Sequence, residues 1–127
     1  DAQRLVAAVP ASDARIVVDA LHFCRAGCQL SDLHAERIDH GFMQINDAPA
    51  QRHPGLSPAE EGRAHRLFPG EGALPLAALL ASLAGDALLS VEAPSAIRMA
   101  NMDPQARAAA AHRATTSFLQ RNGFAHA

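Results

Sequence analysis

The sequence predicts an α/β fold in which parallel strands alternate with helices, and three observations carry that prediction. Three short apolar runs, at 14–19, 41–47 and 87–92, have the near-continuous hydrophobicity of strands covered on both faces. Stretches with helical spacing or helix caps flank them, the alternation that implies a parallel sheet with right-handed crossovers. Each run also carries, near its C-terminal end, a side chain able to bind a metal or move a proton: Asp19, Gln44 and Glu92.

In chain order, Leu5, Val6 and Val9 stand at helical spacing and Pro10 closes that segment, so the chain opens in a helix. Ser12-Asp13 reads as a turn before a first strand over 15–19. His22 to Gly27 reads as a rim loop, and Ser31-Asp32 as the cap of a short helix ending near Arg37. The second strand spans 40–45. From Ala48 to Gly72 no period is sustained, and prolines and charged residues alternate; such long loops are usually functional or mobile. Pro75 suits the first turn of a helix with a Leu76, Leu79, Leu80 and Leu83 stripe, and Gly85 is its stop. A third strand spans 87–92. Asp103-Pro104 caps a final helix that buries Ala108, Ala111, Thr115, Phe118 and Leu119 and ends at Asn122-Gly123.

Size narrows the architecture. An eight-stranded α/β barrel takes about 250 residues, roughly 31 per βα unit, so 127 residues hold about half of one. The expected fold is therefore a partial or half (β/α)8 TIM barrel, three βα units of it, over residues 1–127. A doubly wound sheet is the rival, but no glycine-rich phosphate loop follows a strand. The net charge of −2 and the absence of Trp and Tyr argue against a nucleic-acid partner. No apolar run is long enough to span a membrane. Cys24 and Cys28 form a lone pair, read as reduced thiols in a cytoplasmic protein.

Barrel chemistry sits where strands end. Side chains alternate along a strand, so Phe42, Gln44 and Asn46 share one face while Met43, Ile45 and Asp47 share the other. With Gln44 inward, Asp19 and Glu92 face the same mouth, above Val17 and Ser90, and Asp47 sits at its edge. Two carboxylates and an amide oxygen at one opening need a partner, since an isolated buried charge is very costly. A divalent cation is the simplest, and oxygen donors favour Mg²⁺ or Mn²⁺. The competing reading makes each residue a solvated strand end or a helix cap. Arg52, Arg63 and Arg66 share a loop with Glu60, Glu61 and Glu71 and read together as a solvated lid. His40, inward but at the far end of its strand, reads as a satisfied core histidine. His34, His53, His65, His112 and His126 read as surface residues.

Four segments come in a telling order: Val18-Asp-Ala-Leu-His-Phe-Cys-Arg-Ala-Gly27, Gln44-Ile-Asn-Asp-Ala-Pro49, Arg66-Leu-Phe-Pro-Gly-Glu-Gly72 and Ser90-Val-Glu92. Together they resemble the C-terminal half of the sugar phosphate isomerase/epimerase family, the xylose isomerase-like TIM barrels. The resemblance implies that Asp19, Gln44 and Glu92 bind a divalent metal ion, Mn²⁺ or Mg²⁺ favoured and Zn²⁺ or Co²⁺ possible. Gln44 stands where many relatives carry histidine, which leaves the metal's identity open. Glu92 would also be a catalytic acid/base and His22 a catalytic and substrate-binding group. Arg66 would bind substrate oxygens and Asp47 would support the site from behind, while Glu71 would be loop structure. The substrate would be a small polyhydroxy, sugar-like compound, deprotonated next to its carbonyl to give an enediolate.

The resemblance also implies a second glutamate on a strand before Asp19, which these residues lack. An N-terminal half-barrel or a second copy is therefore an expected partner, and residues 1–127 alone are expected to be nearly inactive. A non-catalytic half-barrel that binds a ligand or assembles is the alternative. A metal-dependent phosphoesterase on the same barrel would need several strand-end histidines that are not there.

Overall fold

The three apolar runs become strands and lie side by side. A computed structural model of the chain describes residues 2–10, 14–34, 38–84 and 86–124. Its elements are α1 (Ala2–Ala7), β1 (Ile16–Asp19), α2 (Ala20–Arg25), a 3-10 turn (Leu30–His34), β2 (Ile38–Ile45), α3 (Pro58–Ala64), α4 (Leu76–Leu80), β3 (Leu88–Val91), α5 (Ala96–Asn101) and α6 (Pro104–Arg121). The strands pair in parallel in the spatial order β1-β2-β3. The result is a mixed α/β fold, a three-stranded parallel sheet with flanking helices, compatible with consecutive βα units.

Register decides what each face does. Val18, Met43 and Leu89 lie level across the sheet, and Asp19, Gln44 and Ser90 lie one residue further on. Because side chains alternate, these rows point to opposite faces. The Val18 face is the core: Val18, Met43 and Ile45 are buried against Leu76, Leu79 and Leu80 of α4 and Phe118 of α6. Burying each such side chain contributes about 1.5–3 kcal/mol. The Asp19 face is open below its polar rim, with Val17 45% and Leu88 70% exposed. One face holds the fold together; the other presents the site.

Helix signals mostly act where the sequence puts them. Asp103 caps α6 by accepting from the Ala106 N–H, and Gly123 follows its end at φ 75°, a conformation glycine adopts without steric cost. Pro75 precedes α4, whose Leu76, Leu79 and Leu80 are buried. That helix stops at Leu80, sooner than the leucine stripe predicts, and Leu83 is only half-buried. His40 is satisfied as expected, its Nδ1 lying 3.0 Å from the Ser82 carbonyl oxygen. The Ser12-Asp13 turn, the Arg37 helix end, the Gly85 stop and His126 fall outside the described residues.

Other expectations are corrected. His22 to Arg25 is not loop but part of α2, because Asp19 accepts from the His22 N–H and caps a helix directly after β1. The 48–72 stretch contains α3, started by a capping box in which Ser57 and Glu60 each bond the other's backbone N–H. The short helix after Ser31 is a 3-10 turn over Leu30–His34. α5 follows β3 with Ser95 as its cap. Ala108 is exposed, as is Leu5 of the first helix.

Candidate functional site

The site begins with a strand-end carboxylate that has to be satisfied. Asp19 ends β1 on the open face and is only 8% exposed. Its Oδ1 accepts from the His22 N–H at 3.0 Å, the α2 cap. Its Oδ2 accepts from Arg66 Nη1 at 2.6 Å and from Asn46 Nδ2 at 3.2 Å. These bonds offset the desolvation cost of burying the carboxylate. Asp19 is thus the helix cap that the competing reading allowed, but it is not solvated.

Arg66 is the centre of the cluster. It follows α3, and its backbone N–H donates to the Pro94 carbonyl oxygen at 3.0 Å, which ties it to the segment after β3. Nε donates to the Gly62 carbonyl oxygen at 2.8 Å, Nη1 to Asp19 and to the Glu92 carbonyl oxygen at 3.2 Å, and Nη2 to His22 Nε2 at 3.3 Å. Glu92 Oε2 lies 3.8 Å from the same Nη1. A guanidinium has five N–H donors, so these bonds leave little of it for a substrate, and the residue is 4% exposed. Four of those N–H groups are thereby committed within the site. Its bonds hold Asp19, His22 and the Glu92 backbone, and what it offers outward is charge.

The remaining candidates divide. The His22 side chain is exposed at the lip; arginine only donates, so Nε2 accepts in this contact. Gln44 lies level with Asp19 and Ser90 and, with Asp19, His22, Val17 and Phe23, lines a cavity of about 700 Å³. Glu92 stands just past β3 with its side chain 45% exposed, outside that lining but beside Arg66. Asp47 does not join them. It points to the core face, and its carboxylate accepts from the backbone N–H groups of Ala48, Gly70, Gly72 and Leu74 at 2.8–3.0 Å. Its role is to fasten the 70–74 segment to the end of β2, not to support the site residues.

Two contributors escaped the sequence reading. Asn46, fully buried, gives Nδ2 to Asp19, while its Oδ1 has no hydrogen-bond partner. Its sharing a strand face with Gln44 was the available signal. Arg25 pairs with both oxygens of Glu61, at 2.7–3.2 Å, and donates to the Pro49 and Ala50 carbonyl oxygens. Glu61, 3% exposed, is therefore a buried clasp and not part of a solvated lid. The Glu61 hydrogen bond leads in raising the Arg25 pKa above its ordinary value, partly opposed by burial. Glu71 is loop structure as read, accepting from the Phe68 N–H and pairing with Arg98.

Cys24 and Cys28 are free thiols, and burial pushes the Cys24 thiol above its usual range. Cys24 lies in the last turn of α2, and Cys28 stands two residues before the Leu30–His34 turn.

The donor set fits a hard divalent cation in type. Asp19, Glu92 and Gln44 supply oxygens, the ligands that Mg²⁺ and Mn²⁺ prefer. Each carboxylate oxygen has more than one lone pair, so the single bond to Asp19 Oδ1 does not exhaust it. Among the described residues no three His, Cys, Asp or Glu side chains cluster for a metal. The complication is Arg66, which already neutralises these carboxylates.

No family model and no curated protein matches the chain. Among solved structures it is similar to the crystal structure of IOLI protein with a binding zinc atom, at a TM-score of 0.72 and 23% identity. The match covers 95% of this chain and 43% of that one, so the chain spans less than half the length of this neighbour. At this identity the likeness defines the fold class: α/β, built from βα units. Among the described residues, no helix is long and apolar enough to cross a membrane.

Proposed function

We propose that this chain is the C-terminal part of a (β/α)8 barrel of the sugar phosphate isomerase/epimerase kind. Its mouth would move a proton beside a carbonyl of a small polyhydroxy substrate. One observation carries the reading. Asp19 and Glu92, far apart in sequence, lie 2.6 and 3.8 Å from a single nitrogen of Arg66, at the same end of one parallel sheet. Convergence of acids at the C-terminal ends of such strands is where barrel chemistry resides.

The two acids have different work. Asp19 is nearly buried and both its oxygens are held, Oδ1 by a single bond, which suits a fixed charge with room for one more contact. Glu92 is the more open, with no hydrogen bond to its carboxylate from Arg66, which suits taking and returning a proton. His22 accepts from Arg66 through Nε2; in its neutral form the ring proton is then on Nδ1, a donor for a substrate hydroxyl. Arg66 places a permanent positive charge behind the acids, favouring negative charge that develops on substrate oxygens. Asp19, Gln44 and Glu92 would hold a divalent ion, Mn²⁺ or Mg²⁺ before Zn²⁺, which when bound supplies Lewis-acid polarisation of the carbonyl. The neighbour's bound zinc supports a metal in this fold.

The open sheet face supports a covering partner. Val17 and Leu88 are apolar and exposed beside the rim, and a solvated apolar sheet face invites association. An N-terminal half-barrel or a second copy would cover it. The test of function is solvent exchange. The full-length protein is incubated in deuterium oxide with Mn²⁺ and a panel of small ketoses, aldoses and their phosphates, followed by proton NMR. Deuterium should enter at the carbon beside the carbonyl and should not when Glu92→Gln is used. Exchange that survives Glu92→Gln, or none with any panel member or divalent metal, sinks the reading.

A further inference from the structure

The mouth carries a cation of its own, and that bears on the metal reading on which this inference rests. Arg66 Nη1 is 2.6 Å from Asp19 Oδ2 and 3.8 Å from Glu92 Oε2, so one guanidinium serves two of the three proposed ligands. The group is not a loose surface charge. It is 4% exposed, its Nε is tied to the Gly62 carbonyl oxygen at 2.8 Å, and its backbone N–H is tied to Pro94. Asn46 adds a second donor to the same Asp19 oxygen, although burying its amide leaves Oδ1 unpartnered. An unpartnered buried carbonyl is a standing cost, and what it secures here is a carboxylate already facing Arg66.

We infer that Arg66 is the resident counter-cation of this mouth and competes with a divalent ion for Asp19 and Glu92. Positive charges a few ångströms apart repel strongly in a water-poor site. A divalent ion that reaches Asp19 therefore either displaces the guanidinium from Oδ2 or accepts its repulsion. Displacement breaks the Arg66–Asp19 bond and strains the ties to Gly62 and His22. Both routes weaken metal binding. The same arrangement keeps the mouth organised without a metal, because Arg66 satisfies Asp19 in its absence. Arg66 is a positioning residue for the acids and sets how tightly the metal is held.

The test compares Mn²⁺ affinity of the full-length protein with that of Arg66→Gln and Arg66→Lys, by calorimetric titration and by the spin resonance of free Mn²⁺. Folding of each variant is checked by circular dichroism. Arg66→Gln keeps hydrogen-bonding capacity and loses the charge, so it should bind Mn²⁺ about tenfold tighter or more. Arg66→Lys keeps the charge and should bind within about threefold of the parent. Equal or weaker binding by a folded Arg66→Gln overturns the inference while leaving the metal reading intact. No binding by parent or variant overturns both. A measurement on the unmutated protein guards against a variant that does not fold: the Arg66 Nε–H resonance should shift on titration with diamagnetic Mg²⁺. If Mg²⁺ binds and that resonance stays still, competition is excluded.

Discussion

Asp19 and Asp47 are both aspartates at strand ends, both nearly buried, and they do opposite things. Asp47 is held by backbone alone, its oxygens accepting from Ala48, Gly70, Gly72 and Leu74. Asp19 is held by one backbone N–H and by the side chains of Arg66 and Asn46. Backbone donors cannot leave without moving the chain, whereas side-chain donors can rotate away and be replaced by a ligand. A carboxylate's partners, more than its burial, separate a structural clasp from a candidate reaction centre. Parity along the strands decides which it becomes, since Asp47 faces the core side and Asp19 the open side.

Making the same Asp→Asn change at both places sharpens that contrast. Asp47→Asn turns one acceptor oxygen into a donor facing two backbone N–H groups. Losing two charge-assisted bonds at about 1.5–3 kcal/mol each should cost roughly 3–6 kcal/mol in chemical denaturation. Gly72→Ala attacks the same clasp from the other side. An added Cβ would run into the Ala48 carbonyl oxygen and the Asp47 carboxylate, so a loss of similar size is expected. A loss below about 1 kcal/mol in both would mean that the clasp is not structural.

Asp19→Asn should cost a similar amount in stability. The amide oxygen can still cap α2, but its nitrogen then faces the Arg66 and Asn46 donors and Arg66 loses its nearer carboxylate, for roughly 3–5 kcal/mol. Its distinguishing effect should be on Mn²⁺ titration, where binding drops at least tenfold. Stability and metal affinity falling in the same proportion at both aspartates would erase the distinction drawn here. Asn46→Leu should be smaller again. It removes the unpartnered Oδ1 but also a donor to Asp19, and the two offset to within about 1 kcal/mol by thermal melting.

The smallest expected effect lies in the α3 cap and depends on pH. The Ser57 hydroxyl, and then the Ser57 backbone N–H, hold the Glu60 carboxyl below its ordinary range. With the folded value below the unfolded one, the contribution is present above the unfolded carboxylate pKa and is lost as pH falls through the lowered folded value. Amide exchange in α3 should therefore quicken on acidification through that window. In Glu60→Gln it should not change with pH beyond the chemistry of exchange itself. Equal acid sensitivity in the two proteins would show that the capping box does not carry it.

Local signals were sufficient for much of this molecule. The apolar runs marked all three strands to within two residues, because a strand covered by other chain has to be apolar along its length. Asp103-Pro104 and Asn122-Gly123 bounded α6 because caps and stops act through the nearest few residues. α3 is equally legible in Ser57-Pro-Ala-Glu60, a capping-box pattern set among prolines that otherwise read as loop. Parity put Gln44 and Asn46 on one face of β2, and the register of β1 against β2 brought Asp19 to it.

What local pattern could not supply is which distant group answers each buried charge. Arg66 lies in sequence among other loop cations and acids, with nothing nearby to show that it turns inward to Asp19, or that Glu61 pairs with Arg25 while Glu60 caps a helix. Those choices follow from which segments the sheet and the 48–74 crossover bring within a few ångströms. A charge leaving water takes the best partner within reach, and reach is a property of the packed chain.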